Sequence, residues 1–329
     1  MSALAPTLEA YFTDRLQAQR QASPQTIVAY RDAWRLFLQY VSAATRKSPA
    51  QLDFSDLHAG CVANFLQWLE QERHNTVRTR NARLAAIHAF FHYAAYRHPE
   101  HSALIQQVLA IPFKRYDQPH IDFLTTTETE ALLAVVDRST WVGRRDYALL
   151  VLVLQTGLRV SELTQLTVGD VDVGPGAAVR CQGKGRKRRV TPLTPATAAT
   201  LKAWLAERPG AAHQPLFPTV RGGPMSTDAV QWLLTKYGKM ATHSCDSLAH
   251  KHLTPHVLRH TCAMNLLTSG VDITVIALWL GHESLQATQI YVHADMAIKE
   301  QALARTAPVG ETPSRYRPPD ALLAFLASL

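Results

Sequence analysis

The 329-residue chain has little cysteine and no paired cysteine spacing: Cys61, Cys181, Cys245 and Cys262 are its four, and none forms a C-x-x-C. That excludes a disulfide framework and fits free thiols in a reducing compartment. Long apolar runs are missing as well. No segment approaches the roughly 20 apolar residues of a membrane span, and no apolar stretch follows a basic start at the N-terminus, so neither membrane insertion nor secretion is expected. There is no Gly-rich phosphate-binding loop and no internal repeat. Acidic side chains are in the minority, with 26 Asp and Glu against 34 Lys and Arg, a formal charge of +8. The excess suits a nucleic-acid partner, although composition alone does not demand one.

What is present is material for two cores: 47% of the residues are hydrophobic, and the length accommodates two domains of ordinary size. Residues 1–110 carry helical periodicity and no convincing strand. Ser23-Pro24 is a helix start, with Ser as N-cap and Pro at the first position, followed by Ile27, Tyr30, Trp34, Phe37, Leu38 and Val41 at helical spacing. Further apolar periodicity runs from Cys61 to Leu69, Leu84 to Tyr96 and Leu104 to Ile111. The aromatic stripe Phe90, Phe91, Tyr93, Tyr96 is read as core. Periodicity lapses over 111–123, where Pro112, Pro119, Lys114 and Arg115 mark a linker. A second domain, 124–305, opens with Thr125 to Thr127 capping a helix through Val136. A helix over Arg144 to Gln155 then ends at Gly157. Ala177 to Gln182 and Arg188 to Leu193 read as strands around a Gly-x-Gly turn. Helices follow over Pro195–Glu207, Thr227–Met240, Pro255–Thr268 and Ile273–Leu280. Residues 306–329 form a Pro-rich tether and an apolar segment, Ala321 to Leu329. The expected fold is mostly α with one small antiparallel sheet.

Five places in the second domain carry chemistry. Arg159 sits in Gly157-Leu158-Arg159-Val160-Ser161-Glu162-Leu163, in a tight connection after a helix end. Lys184 lies between glycines in Gly183-Lys184-Gly185-Arg186-Lys187-Arg188-Arg189, a basic hairpin tip. Thr254-Pro255 starts a helix on which His256 and Arg259 lie three apart in the first turn, where the helix N-terminus already favours anions. Leu280-Gly281-His282 follows an apolar helix with Gly281 as a natural terminator. Tyr291 comes nine residues later, in Ala287-Thr288-Gln289-Ile290-Tyr291-Val292-His293. Each alone has a plain structural reading: a surface Arg, a solvated basic run, a capping His, a core Tyr.

Their order, Arg159, Lys184, His256, Arg259, His282, Tyr291, resembles the motif set of the tyrosine recombinase (phage integrase) family, in its compact bacterial Xer-like or mobile-element branch. Thr26-Ile27-Val28-Ala29-Tyr30 and Thr79-Arg80-Asn81-Ala82-Arg83-Leu84 look like that family's core-binding helices, so the resemblance spans nearly the whole chain. It implies an N-terminal helical core-binding (SAM-like) domain and a C-terminal catalytic domain. It further implies site-specific cleavage and rejoining of DNA through a 3′-phosphotyrosyl intermediate on Tyr291, with Lys184 as general acid and Lys187 as its rival, without metal or ATP. The implied partner is double-stranded DNA with inverted half-sites, bound by a homotetramer that is a monomer or weak dimer when free, in the bacterial cytoplasm and nucleoid. Expected DNA contacts are Arg78, Arg80, Arg83, Lys114, Arg115, Arg186 and Lys187. The physical requirements agree: charge builds on phosphoryl oxygens, arginines donate paired hydrogen bonds to them, and a phenol near its ordinary pKa of about 10 needs a cationic pocket to act as phenolate.

One departure and three alternatives stand beside this reading. His243-Ser-Cys-Asp-Ser-Leu-Ala-His-Lys-His252 is histidine-rich, but its spacing matches no common structural zinc pattern; His260 is read as a buttress of the clamp. A silent DNA-binding protein of the same fold and a type IB-like topoisomerase are the alternatives within the chemistry. A metal-dependent nuclease would need converging carboxylates, whereas Arg and His dominate the motif segments.

Overall fold

The computed structural model describes residues 3–116, 121–183, 188–208, 210–282 and 284–294. Lys184, Arg186, Lys187 and the whole 306–329 tail lie outside them. The chain divides into two compact units, residues 1–119 and 120–329.

The first unit is helical throughout its described residues: α1 (Leu4–Ala10), running on as a π-helical stretch Tyr11–Gln19, then α2 (Pro24–Thr45), α3 (Ala59–Gln71), α4 (Val77–Ala95) and α5 (Ser102–Leu109). Local signals set the starts. Ser23 caps α2 by accepting the Thr26 N–H, with Pro24 beside it, and Thr76 caps α4 through the Thr79 N–H. The apolar face of each helix meets an aromatic core of Trp34, Phe37, Phe54, Phe65, Phe90 and Phe91, each 2% exposed or less. Trp34 and Phe90 pack edge to face with centroids 4.6 Å apart, a geometry that adds to their burial. Tyr96 departs from the expected stripe and is 92% exposed, because α4 ends at Ala95 and the next residue leaves its buried face. The segment after α5 lies on α4: Asn81 pairs both amide groups with the backbone of Lys114, at 2.8 and 3.1 Å.

The second unit contains α6 (Thr126–Ala134), α7 (Trp141–Thr156), α8 (Val160–Gln165), β1 (Val171–Asp172), β2 (Ala178–Gln182), β3 (Arg188–Pro192), α9 (Pro195–Glu207), α10 (Thr227–Ala241), α11 (Pro255–Thr268), α12 (Ile273–Leu280) and α13 (Gln286–Ala294). Thr125 and Glu128 form the capping box of α6. The sheet is antiparallel in the order β1-β2-β3, with Cys181 opposite Arg189 and Gln182 opposite Arg188. β1, two residues long, carries too little pattern to be foreseen. The spine is α7, whose Ala148, Leu149, Leu150, Leu152 and Val153 are 1% exposed or less; it packs on α9 at one side and on α11 at the other. A smaller cluster, Cys262, Ala263, Met264, Ile276, Leu280 and Tyr291, joins α11, α12 and α13. Among the described residues no helix is long and apolar enough to cross a membrane.

Candidate active site

Two left-handed glycines and one helix start bring the second unit's motifs together. α7 ends at Gly157, φ +62°, and α12 ends at Gly281, φ +65°, a conformation glycine adopts without the Cβ penalty. α11 begins between these two ends, with Thr254 accepting the Val257 N–H at 3.2 Å and Pro255 in the first turn. Arg259, one turn in and 4% exposed, donates from Nη1 to the Gly157 carbonyl at 2.6 Å and from Nη2 to the Leu280 carbonyl at 2.7 Å. A guanidinium between two helix C-termini faces the negative ends of both dipoles. Burial, then the nearby Arg159 and Arg189, lower its pKa to about 10, so it stays a cation at neutral pH.

Arg159 precedes α8. Its Nη2 donates to the Gly281 carbonyl at 2.9 Å and its Nη1 to Glu162 Oε1 at 2.9 Å, while the Arg159 N–H donates to Glu162 Oε2 at 2.8 Å. The two arginines are thus fixed to the same corner, Leu280-Gly281.

Tyr291 lies on α13 and is 1% exposed. Its hydroxyl is 3.0 Å from His260 Nδ1, and its ring stacks on His282, centroids 6.3 Å apart and planes 11° from parallel. His282 Nδ1 is 2.7 Å from Thr288 Oγ1. Burial lowers both imidazoles to about 4, helped by His256 and Arg259 at His260 and by Arg259 and Arg159 at His282. Both rings are therefore neutral at pH 7, and in its Nε2–H tautomer His260 presents Nδ1 as an acceptor to the Tyr291 hydroxyl. The expectation of a phenol lowered by the cationic pocket does not hold here. Burial pushes Tyr291 up to about 12 against the pull of Arg259 and Arg159, because a ring removed from water loses more than two screened cations return. His256 is exposed at the start of α11, 6.4 Å from the His260 ring. Among the described residues the other buried tyrosine of this unit, Tyr237, is committed elsewhere: its hydroxyl donates to Asp146 at 2.9 Å.

The structure therefore brings Arg159, Arg259, His282 and Tyr291 together, with His256 at the edge, while Lys184 falls outside the described residues. It also supplies partners that the motif reading passed over. Glu162 and Thr288 are buried, and Arg189 bridges to Glu162 with distances of 3.1 and 2.9 Å. Only Glu162 had a sequence signal, its place three residues after Arg159 at a helix start. Among the described residues no three His, Cys, Asp or Glu side chains converge as a metal site.

In the first unit Arg78 and Arg115 are exposed and Arg83 is half-buried. Lys114 is ion-paired with Glu70 at 2.7 Å. Arg80 is a correction to the expected DNA contacts: it is 6% exposed, and its Nη1 donates to the Pro112 carbonyl and the Asn81 side chain at 3.1 and 3.0 Å. It braces the residues after α5 instead of facing solvent.

Comparison with known proteins agrees along the chain. The Phage integrase family matches residues 122–297, and the phage integrase N-terminal SAM-like domain matches residues 10–98. An integrase/recombinase homologue of Sinorhizobium fredii, y4rC, is 51% identical over 328 residues, covering 100% of this chain and 99% of that one. Tyrosine recombinase XerC of Pelobacter propionicus is 31% identical over 92% of this chain and 95% of its own. Among solved structures, XerH site-specific recombinase bound to palindromic difH substrate has a TM-score of 0.65 at 24% identity, covering 87% of this chain and 81% of that chain, a likeness of fold.

Proposed function

Because the chain belongs to the phage integrase family and is a tyrosine-type site-specific DNA recombinase, we propose that Tyr291 is its nucleophile and that Arg159 and Arg259 hold the scissile phosphate. The observation that carries this reading is the shared corner: both guanidiniums are fixed by carbonyls at Leu280-Gly281, beside the His282 ring that stacks on Tyr291. Their remaining N–H groups face charge that grows on the non-bridging oxygens as the phosphorus becomes five-coordinate. The Tyr291 oxygen bonds to phosphorus, the bond to the 5′-oxygen breaks, and Lys184 protonates that oxygen. The phenol proton leaves as attack proceeds, to a neutral imidazole, with His260 in hydrogen-bond reach. His256, exposed at the helix N-terminus, donates to the phosphate. The 5′-hydroxyl of a second strand reverses the sequence, and the phosphodiester energy is conserved in the phosphotyrosine.

The exposed Arg78 and Arg115, with Arg83, Lys114, Arg186 and Lys187, are read as phosphate contacts that position the duplex. Two duplexes with inverted half-sites require four active sites, hence a homotetramer on DNA assembled from monomers or weak dimers in the bacterial cytoplasm and nucleoid. The alternatives, a silent DNA-binding protein and a topoisomerase, lose ground to the complete set of motif residues and to the match of the first unit with the SAM-like domain.

The test is trapping on nicked suicide duplexes drawn from repeats that adjoin its gene. The expected product is an SDS-resistant adduct, unaffected by EDTA, whose DNA is blocked at the 3′ end and digestible from the 5′ end. A 5′-linked adduct, or cleavage that needs a divalent metal, would overturn the proposal.

A further inference from the structure

Arg159 carries a carboxylate beside it that the phosphate-holding role does not explain. Glu162, 4% exposed, takes the Arg159 guanidinium on Oε1 and the Arg159 N–H on Oε2. Such a partner holds the guanidinium in place, but it also cancels its charge, and in a poorly hydrated site that cancellation is strong. A site that must stabilise a phosphorane gains nothing from a neutral Arg–Glu pair.

The compensation comes from β3. Arg189 forks onto the same carboxylate, Nη1 to Oε1 at 3.1 Å and Nη2 to Oε2 at 2.9 Å, with its side chain 11% exposed. It is also packed under the catalytic corner: a Cβ built on Gly281 would stand 2.6 Å from Arg189 Nη1. Among the described residues, this corner therefore holds three guanidiniums and one carboxylate. Arg189 touches Glu162 and Gly281, and both of them hold Arg159.

We propose that Arg189 is a positioning residue for strand cleavage: by neutralising Glu162 it leaves the charge of Arg159 free for the scissile phosphate, and its fork ties β3 to the Arg159 turn. This rests on Arg159 being a phosphate ligand, as proposed above. Replacing Arg189 by a neutral residue leaves Glu162 to cancel Arg159, so the defect falls on transition-state charge and not on DNA binding.

The test uses the full chain and two suicide substrates, one with an ordinary scissile phosphate and one with a methylphosphonate, whose missing charge makes a cationic clamp dispensable. Arg189→Gln is expected to cleave the phosphate about 100-fold more slowly, the scale of losing one oriented donor to a charged transition state, with DNA affinity within about twofold. On the methylphosphonate its deficit should shrink to about threefold or less. Adding Glu162→Gln to Arg189→Gln removes the charge that needed balancing and should restore at least about tenfold of the loss. Arg189→Lys, which keeps the charge without the fork, should retain most cleavage and serves if Arg189→Gln does not fold.

An equal deficit on both substrates, a double variant slower than Arg189→Gln, or Arg189→Lys as slow as Arg189→Gln would each overturn the proposal in favour of a plain structural role. Arg159→Ala is the control for the premise. If its deficit persists unchanged on the methylphosphonate, the assignment of Arg159 fails; if Arg159→Ala is rescued and Arg189→Gln is not, only the role of Arg189 falls.

Discussion

Gly281→Ala should separate the cost of a strained backbone from the cost of a displaced active-site corner, provided it is compared with Gly270→Ala. Both glycines have left-handed φ, +65° and +81°, so each substitution carries the same backbone penalty of about 1–2 kcal/mol. At Gly270 a Cβ meets nothing within 4 Å, and the penalty ends there. At Gly281 the Cβ would lie 2.6 Å from Arg189 Nη1, 3.3 Å from its Cδ and 3.5 Å from its Cζ. That guanidinium is tethered to Glu162 and cannot swing away without giving up its fork, while the Gly281 carbonyl holds Arg159. Gly270→Ala should lower the melting temperature of the second unit by roughly 3–6 °C and leave cleavage well below that temperature unchanged. Gly281→Ala should melt lower still and cleave a suicide substrate at least about tenfold more slowly, with unchanged affinity for a half-site. Paired calorimetry, gel shift and cleavage time courses decide it. Equal cleavage by the two variants would refute the reasoning that this corner sets the arginines.

Other consequences concern protons, the leaving group and the DNA backbone. His260 and His282 are held near 4 against an ordinary imidazole value of 6.5, so the unfolded chain takes up protons first as pH falls. Stability conferred by these neutral rings is complete above pH about 6.5 and is lost on the way down to 4, on the order of 3 kcal/mol for the pair after solvent screening; a urea midpoint that stays flat between pH 7 and 4.5 would contradict this. Lys184→Ala should lose cleavage of a 5′-oxygen substrate and regain much of it with a 5′-thiol leaving group, which needs little protonation; the same rescue for Lys187→Ala alone would move the acid to Lys187. Binding to duplex DNA should fall steeply with salt, with a log–log slope of about −5 or steeper for on the order of six phosphates neutralised, and a flat response would undercut phosphate gripping by both units.

Helix ends were legible where the capping residues are adjacent in sequence. Ser23-Pro24, Thr125 and Thr254-Pro255 each close a local hydrogen bond, and the bounds of Pro195–Glu207, Pro255–Thr268 and Ile273–Leu280 agree with the structure. The helix carrying Tyr291 was not legible. α13 is nine residues long, and its apolar residues Ala287, Ile290, Tyr291 and Ala294 span barely two turns, too short a run for periodicity to mark a helix. The first helix, from Leu4, has no side-chain cap at its start, so no local signal marks it. In the site, the order of Arg159, His256, Arg259, His282 and Tyr291 could be read along the chain, whereas the fork of Arg189 on Glu162 spans 27 residues. In sequence Arg189 is one of a run of basic residues, and only the β2–β3 register turns it inward while Arg188 stays exposed. Arg80 shows the opposite error: a cation at a helix start reads as a DNA contact until the carbonyl of Pro112, 32 residues on, is seen to hold it. Charge is visible in sequence, but the partner that claims it is not.

The most direct measurement of the central claim is adduct formation by Tyr291→Phe on a nicked suicide duplex, read as an SDS-resistant band beside a gel shift of the same sample. The substitution removes one oxygen and keeps the ring in its place between His260 and His282, so folding and DNA binding should be nearly unchanged. The expected result is no covalent protein–DNA band at any time, with the wild-type protein accumulating one. A persistent adduct in the variant would show that another hydroxyl attacks the phosphate and that Tyr291 is a core residue.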